Sequence, residues 1–163
     1  MAEEPDIEAL LEAYAGAWAK LATDGIADFW RRDHFRFYKA EEVPDMFTEF
    51  PAVLAYWRGN EGLHSSAELR FGSVLDLDIP GPARLVSARM DWRIGFRDDA
   101  RDGEGRAFRH AGKTMAGWNH VLSCWEEVDA RWYLTGWCET PDAAPLYLTD
   151  LYYRAAEVDA PAD

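Results

Sequence analysis

The chain has 163 residues, 48% of them apolar and 14% aromatic, which indicates one folded domain with a sizeable core and excludes a disordered chain. Its formal net charge of −13 argues against nucleic acid and against an anionic membrane surface as partners, because both attract basic proteins. The same charge fits a soluble protein with a neutral or cationic small-molecule partner.

The sequence contains two cysteines, Cys124 and Cys138, and neither belongs to a CxxC pair or to a Cys/His cluster. We therefore predict neither a metal site nor a cofactor. The N-terminal residues, MAEEPDIEAL, lack the apolar core of a signal peptide, and no apolar run is long enough to span a bilayer. These features predict a cytoplasmic protein with reduced thiols.

The beginning of the chain is predicted to be helical. Apolar residues recur at helical spacing from Ile7 to Leu21 and predict an amphipathic first helix of about 17 residues. Thr23 and Asp24 are expected to end this helix and to cap a short second helix that runs to residue 30.

A strand and a third helix are predicted next. Residues 34–40, HFRFYKA, are strand-like, and residues 51–60 are predicted to form a helix that stops at Gly59-Asn60. After this point the periodicity becomes that of strands. Four long strands, separated by turn sequences, are predicted at residues 67–79, 83–97, 106–128 and 130–140.

Helices followed by a meander of antiparallel strands make the predicted fold class α+β. The sequence has no internal repeat and no Gly/Ser linker, so the whole chain, residues 1–163, is expected to form a single domain. Its core is predicted at about residues 6–142. The remaining residues, 143–163, are expected to form a tail docked on the domain or a short helix.

The predicted strand at residues 83–97 contains two charged residues, Arg89 and Asp91, in an otherwise apolar segment. Because side chains alternate along a strand, this charged pair shares one face, while Met90 and Trp92 point to the other. The pair is interpreted in two ways. It is either a salt bridge on the solvated side of the sheet or the polar end of a pocket.

The order of elements, together with the strings LLEAYAGAW, DGIADFW and RWYLTGW, resembles the nuclear-transport-factor-2-like (NTF2-like) superfamily, which includes SnoaL-like and ketosteroid-isomerase-like proteins. The resemblance implies a cone-shaped half-barrel, in which N-terminal helices pack in a curved, mostly antiparallel sheet and close a pocket. It implies no single activity, because the superfamily includes isomerases, dehydratases, cyclases, epoxide hydrolases and interaction modules.

Two strings are similar to the limonene-1,2-epoxide hydrolase family within this superfamily. That family places Arg-x-Asp on one strand and a second carboxylate after Thr-Gly-Trp-x on the last strand, which correspond here to the charged pair and to Thr135–Glu139. The resemblance implies that Tyr38 holds a nucleophilic water. The chain differs from the family pattern in having Glu139 in place of an Asp and Ala40 in place of an Asn.

A resemblance to the ketosteroid isomerase family is weaker. Tyr14 and Asn119 correspond to oxyanion-binding positions of that family, but Tyr38 stands where it has its catalytic carboxylate. A phenol with a pKa of about 10 is a poor base at neutral pH, so an isomerase of that type is not predicted.

The epoxide hydrolase pattern requires three side chains to converge. The planar Arg89 guanidinium would hold the carboxylates of Asp91 and Glu139 in fixed geometry. Two carboxylates at close range cannot both ionise cheaply, so their roles would separate. Glu139 would be the base that activates water, and Asp91 the acid that donates to an opening epoxide or another leaving oxygen.

Strand pairing gives a prediction for the two faces of the sheet. A hairpin between the second and third long strands would align the charged pair with Trp118 and His120, and a further hairpin at EVDA would add Trp137 and Glu139 to that face. In this register Asn119 and Glu139 cannot both face the pocket. One face is predicted to line the pocket, and the other to form a homodimer contact through the sheet.

The leading hypothesis is a cofactor-independent enzyme that uses carboxylate acid/base chemistry on an apolar substrate, by hydrolysis, dehydration or cyclisation. The alternative is a non-catalytic module for ligand binding or dimerisation. The predicted catalytic residues are Arg89, Asp91, Glu139 and Tyr38, and the predicted pocket-lining residues are Tyr14, Trp18, Trp57, Trp118, His120 and Trp137.

Overall fold

The computed structural model describes residues 6–77, 79 and 81–141. Three helices pack against a five-stranded mixed sheet that does not close into a barrel, so the predicted α+β class is confirmed. The segment predicted as a tail or short helix, residues 143–163, lies outside the described residues. None of the helices in the described ranges has the length and apolar character needed to cross a membrane.

The first helix, α1 (Ile7–Ala19), begins at Asp6, whose carboxylate accepts a hydrogen bond from the Ala9 backbone N–H at 3.0 Å. It is shorter than predicted because Leu21 adopts a φ of 54°, which a right-handed helix does not allow. The residues of α1 that are buried are Ile7, Leu11, Tyr14 and Ala17.

The second helix, α2 (Thr23–Ala27), is capped from outside its own sequence. The Glu61 carboxylate accepts hydrogen bonds from the Thr23 backbone N–H at 3.1 Å and from the Thr23 hydroxyl at 2.6 Å. The predicted capping residue is therefore the first residue of the helix, and a distant acid supplies the cap. This contact also ties α2 to the third helix.

The third helix, α3 (Phe50–Leu63), continues past Gly59-Asn60, where the sequence predicts its end. A glycine inside a helix costs about 1 kcal/mol, which packing can offset. The indole of Trp57, one turn earlier, is 1% exposed and holds this part of the helix in the core. Tertiary contacts thus override the local stop signal.

The sheet has the strand order β1–β5–β4–β3–β2. Strand β1 pairs in parallel with β5, and all other neighbouring pairs are antiparallel. Residues 106–113, predicted as part of a strand, belong instead to the connection between β3 and β4. The strands are β1 (Phe37–Lys39), β2 (His64–Leu77), β3 (Ala83–Phe96), β4 (Thr114–Val128) and β5 (Arg131–Pro141).

A charged cluster attaches the segment before β1 to the sheet. The side chain of Glu126, on β4, is 9% exposed and accepts hydrogen bonds from Arg31 Nη1 at 3.0 Å and Arg36 Nη2 at 2.6 Å, while His34 Nδ1 lies 3.1 Å away. Burial alone would raise the pKa of Glu126, but the hydrogen bonds from Arg36 and His34, together with the nearby charge of Arg36, outweigh it and lower the pKa. This cluster positions β1 beside β5.

A one-residue bulge interrupts the pairing of β4 with β5. Trp125 pairs with Leu134 and Cys124 pairs with Gly136, so Thr135 is an extra residue on β5. One inserted residue reverses the face of every side chain beyond it. Trp137 and Glu139 consequently lie on the opposite face from the one that an uninterrupted hairpin predicts.

The sheet has an outer face and an inner face that differ in their contacts. The predicted alignment of β3 with β4 is confirmed, with Arg89 opposite His120 and Asp91 opposite Trp118. These four residues lie on the outer face of the sheet, whereas the inner face packs against the helices. Inner-face residues that are buried on β3 and β4 are Val86, Ala88, Met90, Asn119, Val121 and Ser123.

Apolar side chains remain exposed on the outer face, among them Trp118 (47% exposed) and Leu122 (39%). Homodimer formation through this face stays a prediction. Trp118→Glu is expected to weaken the dimer by at least about tenfold, because aromatic residues at the centre of an interface carry much of its binding energy. Sedimentation velocity over a concentration series measures this effect.

The matched control is Met46→Glu, which changes an equally exposed apolar residue in the connection between β1 and α3. It should sediment like the wild type. A wild-type protein that remains monomeric at every concentration would contradict the prediction, as would equal dimer populations in the wild type and Trp118→Glu.

Candidate functional site

A cavity of about 350 Å³ lies between the inner face of the sheet and helices α1 and α3. Its walls are mainly aromatic and aliphatic, with a few polar groups, as is usual for sites that hold small molecules. The sheet contributes Met90, Trp92, Asn119, Trp137 and Glu139 among others. The remaining wall comes from the two helices, from Tyr38 of β1 and the segment that follows it, and from Phe108 and His110 in the connection between β3 and β4.

Glu139 is the polar centre of this wall. Trp137 Nε1 donates a hydrogen bond to Glu139 Oε1 at 2.7 Å, and Asn119 Nδ2 donates to Oε2 at 3.0 Å. Trp92 Nε1 donates in turn to Asn119 Oδ1 at 3.2 Å. Because an indole nitrogen can only donate, Trp92 determines which end of the Asn119 amide faces the carboxylate. Both Glu139 oxygens therefore accept hydrogen bonds from fixed donors.

The surroundings of Glu139 raise its pKa from 4.5 to about 7. Burial is the largest cause, because it disfavours the charged form of a carboxyl group. The hydrogen bond from Trp137 opposes this effect, and the nearby charges of Glu42 and Glu41 add to it. Both protonation states are thus populated near neutral pH, which is the condition for an efficient proton-transfer group.

Two phenols of the cavity wall, Tyr14 and Tyr38, are 1% and 3% exposed. Burial raises the pKa of both, and the charge of Glu139 contributes in the same direction. Tyr14 accepts a hydrogen bond from Trp30 Nε1 at 3.4 Å. Both hydroxyl groups consequently stay protonated at neutral pH, so they are hydrogen-bond donors rather than bases.

Two further carboxylates lie on the cavity wall, in the segment after β1. Burial and the charge of Glu42 raise the pKa of Glu41, and an interaction with Asn119 partly offsets this. Glu42 accepts a hydrogen bond from the Tyr56 hydroxyl. His64 also lines the cavity, and burial lowers its pKa.

The predicted convergence of Arg89, Asp91 and Glu139 is wrong. Arg89 Nη2 and Asp91 Oδ1 form a salt bridge of 3.0 Å on the outer face, where their side chains are 45% and 55% exposed. The Arg89 guanidinium also lies 5.3 Å from the ring centre of Trp118. Glu139 lies on the inner face, because the bulge at Thr135 reverses that part of β5. The sheet therefore separates the charged pair from the carboxylate it was expected to hold.

The other predicted site residues divide in the same way. Trp118 and His120 are on the outer face and do not contribute to the cavity wall. Trp57 lies in the core behind the wall, where it packs against Trp18 and Tyr38. Five of the predicted residues line the cavity, namely Tyr14, Trp18, Tyr38, Trp137 and Glu139. Their functional roles stay predictions.

Among the polar or aromatic groups of the site that were not selected from the sequence are Glu41, Glu42, Trp92 and Asn119. The sequence assigned Trp92 and Asn119 correctly to one face of the sheet but placed Glu139 on the other, so their hydrogen-bonded network was not foreseen. A glycine inside a strand is a signal for a bulge, and Gly136 provided that signal. No pattern in the sequence indicated Glu41 or Glu42.

Within residues 6–77, 79 and 81–141, no group of three or more His, Cys, Asp or Glu side chains is arranged to hold a metal ion.

No protein-family model and no curated protein matches the sequence. Solved structures share its fold. An NTF2-like protein from Streptomyces avermitilis, provisionally assigned as a dehydratase, is 12% identical with a TM-score of 0.68, and the match covers 86% of this chain and 100% of the other. A protein from Novosphingobium aromaticivorans, provisionally assigned as a scytalone dehydratase, is 9% identical with a TM-score of 0.66 and coverages of 84% and 82%.

An NTF2-like superfamily protein from Salmonella enterica serovar Typhimurium is 10% identical with a TM-score of 0.67, and the match covers 86% of this chain and 91% of the other. Identities this low establish similarity of fold and nothing about activity. The chain has the fold of the NTF2-like superfamily.

Proposed function

Starting from the NTF2-like fold, we propose that this chain is a small-molecule enzyme of the SnoaL-like type, in which Glu139 transfers protons on an apolar substrate bound in the cavity. The observation that carries the proposal is the carboxylate itself. Glu139 is held by N–H donors on both oxygens in an apolar wall, and its pKa of about 7 suits proton transfer in either direction.

The proposed chemistry uses one carboxylate instead of the acid/base dyad predicted from the sequence. Ionised Glu139 would remove a proton from a substrate C–H or O–H group or from a water molecule. The hydrogen bonds from Trp137 and Asn119 keep the carboxylate oriented towards the reacting atom. The protonated carboxyl group would then return its proton to the leaving oxygen, which completes a dehydration or a hydrolysis without a second acid.

Tyr14 and Tyr38 have a complementary role in this proposal. Negative charge that develops on a substrate oxygen would be stabilised by donors already positioned in a water-poor site. Their phenols are buried at the cavity wall and remain protonated. Proton removal by Glu139 and hydrogen bonding by a phenol together support dehydration, hydrolysis or cyclisation of an apolar substrate that carries an oxygen function.

A substrate panel with the variant Glu139→Gln tests this proposal. The panel contains aryl epoxides and β-hydroxy ketones, because each requires a proton to be moved at an oxygen. Loss of a general acid/base group is expected to lower turnover by about 10²–10⁴-fold. Near-UV circular dichroism establishes that the variant is folded.

Glu68→Gln is the matched control, since it makes the same change at an exposed position of β2 opposite Arg93. It should retain full turnover. If Glu139→Gln were as active as this control on every substrate that the wild type converts, catalysis by Glu139 would be refuted. If the wild type bound panel compounds without converting any, the cavity would be a ligand-binding site, as in the alternative hypothesis.

A further inference from the structure

The cavity wall has an unbalanced set of charges. Three carboxylates line it, those of Glu41, Glu42 and Glu139. They lie close enough to affect one another, because the charges of Glu41 and Glu42 both act on Glu139, and that of Glu42 acts on Glu41. No Lys or Arg occurs among the described residues of this wall. The repulsion between the carboxylates is therefore not relieved by a basic side chain of the wall.

Two histidines line the cavity, His64 and His110. His110 Nε2 accepts a hydrogen bond from Arg109 Nε at 2.7 Å, and His64 is the one on which the charge of Glu42 acts. Burial lowers the pKa of His64 below its ordinary value of 6.5, so the imidazole is neutral at pH 7. The side chains that donate hydrogen bonds to Glu139 and Glu42, namely Asn119, Trp137 and Tyr56, are uncharged donors. A cationic group on a bound molecule would balance the negative charge at this end of the cavity directly.

The apolar part of the wall also favours a cation. The indoles of Trp18, Trp92 and Trp137 line the cavity together with the phenols of Tyr14 and Tyr38. Aromatic faces carry negative electrostatic potential and attract ammonium groups, most strongly where the cation loses its water. An acidic end next to several aromatic faces is the arrangement that recognises an alkylated amine attached to an apolar body.

We propose that the natural ligand of the cavity is a cationic amphiphile, with an ammonium or alkylated amine group at the Glu41–Glu42–Glu139 end and an apolar body among the aromatic side chains. This inference rests on the proposed function in one respect, since it takes the molecule bound in this cavity to be the substrate. It adds the chemical class of that molecule. The formal net charge of −13 contributes in the same direction, because it raises the concentration of cations near the protein surface.

A pair of compounds with the same shape tests the inference. Benzyltrimethylammonium and neopentylbenzene differ in a single atom, a charged nitrogen in place of a neutral carbon, and benzenesulfonate serves as the anionic probe. Their binding is followed by intrinsic tryptophan fluorescence, to which Trp18, Trp92 and Trp137 of the wall contribute. The cation is expected to bind wild-type protein at least about tenfold more tightly than its neutral counterpart, and the anion is expected not to bind.

A second experiment removes negative charge from the cavity wall of the protein. The double variant Glu41→Gln/Glu42→Gln is expected to weaken binding of benzyltrimethylammonium by about tenfold and to leave neopentylbenzene unaffected. The control Glu68→Gln carries a charge change on the outside of the sheet and should bind both compounds as the wild type does. A loss of affinity for both compounds in the double variant would indicate damage to the cavity and would overturn the charge-specific inference.

The outcomes separate this inference from the proposed function. Equal affinity for cation and neutral compound, or tighter binding of the neutral one, would overturn the cationic ligand and leave catalysis by Glu139 in place. Binding of neither compound would overturn it as well. Preference for the cation, together with full turnover in Glu139→Gln, would support the ligand class and refute the proposed reaction.

Discussion

Between pH 4.5 and pH 7, the wild-type protein is expected to lose up to about 3 kcal/mol of folding free energy relative to the variant Glu139→Gln. The cause is the raised pKa of Glu139, which is about 7 in the folded protein and 4.5 as its ordinary value. In this window the folded state binds a proton at Glu139 that the unfolded state has already released.

The sign of the effect follows from this difference in bound protons. A carboxyl group whose folded pKa is raised stabilises the fold least when it is ionised in both states. Its contribution is therefore favourable below pH 4.5, is lost progressively as the pH rises through the window, and becomes constant above about pH 7. Urea unfolding of both proteins at half-unit intervals of pH measures the free-energy difference directly.

Comparison with the variant is essential, because other groups titrate in the same range. Burial lowers the pKa of His64 and raises that of Glu41, so these two residues add slopes of opposite sign. The slope from His64 is common to the wild type and the variant and cancels in the difference. The slope from Glu41 cancels except for its interaction with the charge of Glu139, which is the smallest of the named effects on Glu139. The amide that replaces the Glu139 carboxylate in the variant also meets a donor at Asn119, which adds an offset that does not vary with pH. A difference that is flat from pH 4.5 to 7 would show that Glu139 titrates normally.

Deletion of Thr135 is expected to cost at least about 3–5 kcal/mol of stability or to prevent folding, because it removes the extra residue of the bulge. Without that residue, the pairing of β4 with β5 that begins at the turn between them would continue without a shift to the end of β5. Trp137, which is 1% exposed in the core, would then point to the outer face together with Glu139. Urea unfolding followed by tryptophan fluorescence measures the loss.

Two controls separate the bulge from less specific effects. Thr135→Ala keeps the extra residue and loses a buried methyl group and a hydrogen bond of 3.5 Å to the Cys124 carbonyl, so it should cost about 2 kcal/mol. Deletion of Gly103, in the connection between β3 and β4, tests whether shortening the chain is itself harmful and should be nearly neutral. A Thr135 deletion as stable as these two proteins would mean that the bulge does not determine the faces of β5.

The parts of the fold that the sequence predicted are those governed by local patterns. Alternation and a polar hairpin tip were enough to align β3 with β4, with Arg89 opposite His120. Which face of the sheet packs against the helices was not predictable, because both faces carry apolar residues. The choice depends on which side the amphipathic α1 covers, and that is a long-range property of the folded chain.

The candidate site was only partly predictable, for two physical reasons. The string Thr135–Glu139 was interpreted as a regular strand, but a single bulge moves the side chains of Trp137 and Glu139 to the other face of the sheet. The positions of Glu41 and Glu42 follow from the parallel pairing of β1 with β5, in which Lys39 lies opposite Cys138. Pairing between segments this far apart leaves no periodic trace in the sequence, so two of the three cavity carboxylates could not be foreseen.

The hydrogen-bonded network around Glu139 has a mechanical consequence. Trp92, Asn119 and Glu139 lie on three adjacent strands, β3, β4 and β5. Hydrogen bonds weaken when their donors move by a few tenths of an ångström, so the acidity of Glu139 depends on how these strands are aligned along their length. A shear of one strand against the next, even one that begins far from the cavity, would be converted into a change in proton affinity at its wall.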